Sequence, residues 1–227
     1  MNTPVPEPII LTSGLGKQVK TSSETLTILE SVDLRINKGD TAAIVGESGS
    51  GKSTLLGLMA GLDQASQGHV QLFGQNLNEL NEDGRALLRA GRVGFVFQSF
   101  QLLAGLSALE NVMLHLELGK HKQCRQQATQ LLESIGLGHR LGHFPGQLSG
   151  GEQQRVAVAR AYATSPEILF ADEPTGNLDQ KTGRQIIDLM FEFNQQQQTT
   201  LVLVTHDEHL SQRCSTLFKL EQGKLIG

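Results

Sequence analysis

A chain of 227 residues, 38% of them hydrophobic, is long enough to bury one sizeable core, as a single large domain or a domain with a subdomain. Its formal charge is −4 and no stretch gathers Lys and Arg into a stripe, so nucleic acid is disfavoured as a partner. Cys124 and Cys214 lack metal-ligand spacing and read as reduced packing residues of a cytosolic chain; with no basic-plus-apolar leader and no apolar run of ~18–20 residues, secretion and membrane spanning are not expected.

Three prolines in the first eight residues predict an extended or disordered tail over 1–8, with one folded domain over 9–227. Residues 9–15 and 26–36 alternate apolar and polar, and the second run ends on Asn37-Lys38-Gly39-Asp40. They read as antiparallel strands feeding a third, the apolar run 42–45. Next comes Gly46-Glu47-Ser48-Gly49-Ser50-Gly51-Lys52-Ser53-Thr54, which fills every fixed position of G-x-x-x-x-G-K-[ST] between that strand and a helical stretch, 55–60. This is a phosphate-binding loop: its glycines let successive N–H groups turn inward, and the helix adds its positive N-terminal end. Residues Gly46, Glu47, Ser48, Gly49, Ser50, Gly51, Lys52, Ser53 and Thr54 are the nucleotide-binding candidates, Lys52 reaching the β- and γ-phosphates and the Ser53 hydroxyl ligating Mg²⁺.

Residues 69–73 predict a short strand, 82–90 a short helix and 92–98 a strand. From about 99 to 164 the pattern is helical, with 108–118 and 123–135 closed by Gly119 and Gly136 as C′ residues. This reads as a small helical subdomain inserted into an α/β core. A helix over 151–164, a strand over 168–171, a helix over 181–194, a strand over 200–205 and a final piece over 217–225 follow, the alternation of a mostly parallel sheet with helices on both sides. The glutamine tract 195–198 is expected in a helix-to-strand loop, and no internal repeat is present.

Two later stretches carry chemistry. In Leu148-Ser149-Gly150-Gly151-Glu152-Gln153-Gln154-Arg155, a serine and two glycines at a helix start form a second anion site, with unpaired N–H groups and the helix dipole facing outward. One chain has little use for two phosphate sites around one nucleotide. In Ile168-Leu169-Phe170-Ala171-Asp172-Glu173, four apolar residues bury a strand and deliver Asp172 to its C-terminal edge, where open α/β sheets bind ligands.

Together these motifs resemble the ATP-binding cassette (ABC) ATPases across residues 9–227. The resemblance implies an ATP- and Mg²⁺-dependent ATPase of the α/β P-loop class, with a mostly parallel core sheet, an N-terminal antiparallel β subdomain and an inserted helical subdomain. It implies a head-to-tail homodimer in which Ser149, Gly150, Gly151 and Glu152 of one copy cover the γ-phosphate held by the other. Asp172 resembles the Walker B carboxylate that holds Mg²⁺, and Glu173 the general base. Gln98 fits the Q-loop glutamine that touches metal and water, and His206 the switch histidine that bonds the γ-phosphate and orients Glu173. Pro174 to Leu178 continue the family pattern into Asp179, a D-loop residue joining the two protomers. One departure stands out. Most cassettes stack adenine on an aromatic residue before the P-loop, whereas residues 15–26 contain none and Val19 occupies the place.

The P-loop segment, Ala60-Gly61-Leu62-Asp63 and the run 171–179 resemble the lipoprotein-release and macrolide-export group (LolD- and MacB-like), and the missing aromatic with Gly94-Phe95-Val96-Phe97-Gln98-Ser99-Phe100 resembles the bacterial YbbA type most. Such relatives sit on the cytoplasmic face of the inner membrane, with a four-helix permease bearing a periplasmic domain, and move hydrophobic cargo by mechanotransmission. A non-transport ABC ATPase of the cell-division or repair type shares every catalytic motif and remains open from the residues alone.

Overall fold

The computed structural model describes residues 7–21 and 24–226. Residues 1–6, most of the expected tail, lie outside them, and Pro8 already belongs to a strand. In chain order the elements are β1 (Pro8–Lys20), β2 (Thr25–Asn37), β3 (Thr41–Val45), α1 (Lys52–Met59), β4 (Gln67–Leu72), β5 (Gln75–Asn76), α2 (Glu82–Arg89), β6 (Val93–Phe97), α3 (Ala108–Leu118), α4 (Cys124–Ser134), α5 (Gly150–Tyr162), β7 (Ile168–Asp172), α6 (Gln180–Gln197), β8 (Thr200–Val204), α7 (Glu208–Ser211), β9 (Thr216–Glu221) and β10 (Lys224–Ile226). They fall into two compact units, residues 1–89 with 200–227 and residues 90–199.

In the first unit, β2-β1-β4-β5 form an antiparallel sheet. The alternation read from sequence buries Leu29, Val32, Leu34 and Ile36 of β2 on one face, with Ile10 and Leu15 of β1. β1 runs on to Lys20, beyond the predicted end at 15, because the ladder to β2 continues through Gln18↔Thr27, Val19↔Leu26 and Lys20↔Thr25. That end is held by backbone pairing with both Val19 and Leu26 exposed, so no apolar periodicity marks it. The second sheet of this unit sets β3 between parallel neighbours β8 and β9, with Ala42, Ala43 and Ile44 fully buried. Its last piece is two strands: β9 and β10 pair antiparallel across Gln222 (φ 46°) and Gly223 (φ 79°), the left-handed pair of a tight hairpin turn. Glutamine is an uncommon residue in that conformation, and the sequence pattern accordingly shows one piece over 217–225 with no turn within it.

The second unit pairs β6 and β7 in parallel, Val93↔Ile168 through Phe97↔Asp172. Strand β7 is buried on both faces up to Asp172, as its unbroken apolar run predicts. Helices α3, α4 and α5 share an apolar cluster that includes Val112, Leu116, Ala128, Leu132 and Val156. Gly136 takes the left-handed C′ conformation expected of it (φ 77°), but Gly119 does not (φ −76°); Lys120 adopts it instead (φ 55°). The glutamine tract differs too: α6 extends through Gln197, glutamine being a good helix former, and Gln198 caps it in the left-handed region. Cys124 and Cys214 are free, and burial pushes the Cys214 thiol up to about 11. Among the described residues no helix is long and apolar enough to cross a membrane.

Candidate nucleotide-binding and hydrolysis residues

In the first unit the segment from Gly46 to Gly51 wraps from the end of β3 to the start of α1, with Gly49 (φ 81°) and Gly51 (φ 101°) in the left-handed region. Gly51 is the N-cap of α1 and brings no side chain to cap it. A side chain there would clash, since a Cβ would lie 2.9 Å from Leu29 Cδ2 and 3.0 Å from the Ile28 carbonyl oxygen. Lys52 is buried, and its ammonium donates to the carbonyls of Gly46 and Glu47, each at 2.9 Å. The lysine thus curls back over the loop, its charge aimed where phosphates would rest. Ser50 Oγ is buried and has no hydrogen-bond partner. A buried cation bonded to neutral carbonyls, an orphaned hydroxyl and an uncapped helix start are a donor set that fits a polyphosphate. His206 follows the end of β8, which runs parallel beside β3, so it leaves from the same sheet edge as the P-loop. The Thr205 N–H donates to Ile44 (3.2 Å) and ties the two strand ends together. Val19 is 40% exposed and paired with Leu26, and no aromatic side chain stands among the described residues of this end of the β1–β2 ribbon.

In the second unit Phe97 pairs with Asp172, so Gln98 and Glu173 leave from one edge of the β6–β7 pair. Gln98, Asp172 and Glu173 are thereby brought together at the carboxyl end of the strands, the position from which open α/β sheets bind ligands. Gln98 Nε2 donates to Asn177 Oδ1 (3.2 Å), and Asn177 Nδ2 returns a bond to the Gln98 carbonyl (3.0 Å). Gly176 makes room for this, because a Cβ there would lie 2.7 Å from Gln98 Nε2. Glu173 itself sits at φ 47°, a left-handed conformation rare for a glutamate and of the kind that gathers at catalytic centres. The Ser53 hydroxyl, the Asp172 carboxylate and the Gln98 amide oxygen are hard donors of the type Mg²⁺ takes alongside phosphates and water.

Ser149 is the N-cap of α5, in a capping box with Glu152: the Ser149 N–H donates to Glu152 Oε2 (2.8 Å) and Ser149 Oγ accepts from the Glu152 N–H (3.3 Å). Arg140 Nε adds a bond to Glu152 Oε1 (2.9 Å). The Ser149 N–H first, then its hydroxyl and Arg140, hold the Glu152 carboxyl down to about 2. A cleft of about 380 Å³ opens beside this cap, lined by Ser149, Gly150, Gly151 and Arg155 together with Asn177 and Asp179. Asp179 is the N-cap of α6, its carboxylate accepting from the Lys181 and Thr182 N–H groups. Gly151 serves packing as much as access, since a Cβ would meet Thr182 Cγ2 at 2.5 Å. The depressed Glu152 carboxyl makes a signed prediction. The unfolded chain binds that proton more tightly, so the cap contributes stability above about pH 4.5 and loses it as pH falls toward about 2. The melting-temperature difference between wild type and Glu152→Gln should therefore be constant above about pH 4.5 and shrink below it; a difference that grows on acidification contradicts the assignment.

Three buried polar residues that support these loops were not singled out from sequence. Gln154, fully buried, donates from Nε2 to the carbonyls of Pro174 and Phe97, binding the turn after β7 to the end of β6. Arg160 donates to the carbonyls of Gln101 (2.6 Å) and Phe100 (3.1 Å), two residues in left-handed conformations just after Gln98. Asn111 Nδ2 donates to the carbonyls of Leu103, Leu106 and Ser107 and holds the rest of that loop. A sequence signal existed for Arg160, a lone charge within the apolar stretch 156–163.

The ABC transporter family matches residues 29–176. Over 221 residues, 96% of this chain and 97% of the relative, the sequence is 53% identical to the ABC transporter ATP-binding protein YbbA of Escherichia coli (strain K12). It is 47% identical over 214 residues to the lipoprotein-releasing system ATP-binding protein LolD of Pseudomonas syringae pv. tomato, covering 93% of this chain and 94% of LolD. Among solved structures, the dimeric post-hydrolysis state of the ATP-binding cassette MJ0796 bound to ADP and Pi superposes with a TM-score of 0.89, at 37% identity over 96% of this chain and 97% of that one. With the P-loop, the strand-borne carboxylates and the capped signature helix in place, the chain belongs to the ABC transporter family, as an ATP-binding and ATP-hydrolysing cassette of the group that includes YbbA and LolD.

Proposed function

We propose that this cassette works as a homodimer on the cytoplasmic face of a bacterial inner membrane, bound to a permease with a periplasmic domain and powering the export or extraction of hydrophobic, lipid-type cargo by mechanotransmission. The observation that carries the reading is the near-full-length similarity to a lipoprotein-releasing ATPase, joined by the likeness to a cassette solved as a dimer with ADP and Pi.

In this reading the loop N–H groups and Lys52 hold the phosphates of ATP, and Ser53, Asp172 and Gln98 hold Mg²⁺, which neutralises phosphate charge when bound. The Glu173 carboxylate takes a proton from the attacking water, and His206 bonds the γ-phosphate and orients Glu173. Ser149, Gly150 and Gly151, in the cleft they share with Asp179, together with the capping Glu152 present the second copy with an anion site; Asp179 contributes to the contact between copies. Two bound ATP molecules close the dimer and hydrolysis reopens it.

The test is recovery of partners with a tagged Glu173→Gln variant from detergent-solubilised membranes in ATP and Mg²⁺, identified by mass spectrometry. A permease with four membrane spans and a periplasmic domain is the expected companion. Recovery of soluble partners alone, with the chain absent from membranes, would replace this reading with a non-transport ABC ATPase.

A further inference from the structure

The hairpin turn between β9 and β10 lies far from the P-loop in sequence yet meets it directly. Gly223 is buried, and its N–H donates to the Ser50 carbonyl (3.1 Å) while its own carbonyl accepts from the Glu30 N–H (2.9 Å). One residue of the turn therefore links the P-loop to β2. The end of β9 presses on the other end of the loop: a Cβ on Gly46 would lie 2.1 Å from the Leu220 carbonyl oxygen. Glu221 and Gln222 complete the wall of a cleft of about 270 Å³ whose remaining lining is Glu47, Ser48, Gly49 and Ser50.

The bond to Ser50 matters because a peptide unit is planar and trans, so its C=O and N–H point in opposite directions. The Ser50 carbonyl shares its peptide unit with the Gly51 N–H. Drawing that carbonyl outward to Gly223 turns the Gly51 N–H the opposite way, toward the interior of the loop, which is the orientation an anion needs. We propose that the turn Gln222–Gly223 is a positioning element for nucleotide binding, setting the orientation of the Ser50–Gly51 peptide without touching the nucleotide. The inference rests on the reading of residues 46–54 as the phosphate site.

A matched control lies in the same unit. Phe73 (φ 54°) and Gly74 (φ 74°) form the same kind of left-handed turn between β4 and β5, but Gly74 is exposed and a Cβ there would meet nothing within 4 Å. At Gly223 a Cβ would lie 2.4 Å from the Ile28 carbonyl oxygen of β2, so any side chain must move the turn away from β2 and with it the Gly223 N–H that bonds the Ser50 carbonyl. Asparagine tolerates the left-handed region, which makes Gly223→Asn and Gly74→Asn alike in backbone strain and different in burial and in that contact.

The experiment measures ATP–Mg²⁺ affinity by calorimetry for wild type, Gly223→Asn, Gly74→Asn and Lys52→Ala, each below its melting transition. Gly74→Asn should bind as wild type does, and Gly223→Asn about tenfold or more weaker, a loss of about 1.4 kcal/mol. Wild-type affinity in Gly223→Asn, or an equal loss in both asparagine variants, overturns the proposal. Undiminished binding in Lys52→Ala would instead remove the phosphate-site reading beneath it. Should Gly223→Asn fail to fold, hydrogen exchange on the wild-type chain decides. ATP–Mg²⁺ should slow exchange over residues 218–226 together with residues 46–54; slowing confined to residues 46–54 overturns the proposal.

Discussion

Glu173→Gln is expected to cut steady-state phosphate release by at least about 100-fold, the lower end of what a positioned general base contributes. The substitution keeps the shape of the side chain and removes its ability to take a proton. The backbone that presents it should survive, because the turn is held by groups other than the carboxylate: the Gly176 N–H donates to the Glu173 carbonyl (3.0 Å), and Gln154 holds the neighbouring Pro174 carbonyl. ATP affinity should consequently stay within about threefold of wild type, a change of less than about 0.7 kcal/mol. Phosphate release at the wild-type rate would remove Glu173 from the role of base, whereas loss of both binding and turnover would mean that the variant disrupts the β6–β7 edge itself. The left-handed backbone of Glu173 sharpens the expectation, since strain of this kind is retained where the surrounding contacts over-determine it.

Lys52→Ala is expected to weaken ATP binding by about 100-fold or more, corresponding to about 3 kcal/mol for charge-assisted bonds to phosphate. Two effects add. The ammonium that would meet the β- and γ-phosphates is gone, and the carbonyls of Gly46 and Glu47 lose the donor that bridges them. The second effect loosens the loop even without nucleotide, so the melting temperature should fall as well. Lys52→Arg separates the two: it preserves charge but replaces a compact donor with a planar fork, and binding should recover only in part. Calorimetric titration with ATP and Mg²⁺ reads both variants, and normal affinity in Lys52→Ala would place the phosphates elsewhere.

Much of this cassette was legible because its chemistry is written locally. The P-loop needs glycines, a lysine and a hydroxyl at fixed spacing between a strand and a helix, and each is a property of neighbouring residues. Asp172 could be placed at a strand's carboxyl edge from four apolar residues before it, and Ser149 at a helix start from the two glycines after it, while its capping pair with Glu152 came only from the structure. The elements that departed from expectation did so where the local signal was silent or shared between states. The exposed ribbon end from Gln18 to Lys20 has no apolar face to show a period, and a glutamine tract is equally at home in a loop or at the end of a helix.

What the linear order of residues determined by itself is the class of the protein and the groups proposed to meet phosphate, because phosphate loops and strand-delivered carboxylates are built from contiguous residues. What only the tertiary structure decided is how those groups are held. Arg160 clamps Phe100 and Gln101, Gln154 joins the turn after β7 to the end of β6, and Gly223 fixes the Ser50 carbonyl. Each joins residues at least twenty positions apart, across hydrogen bonds whose partners no spacing rule connects. A backbone carbonyl looks alike at every position in a sequence, so the residue that will bond it becomes visible only when the chain has closed.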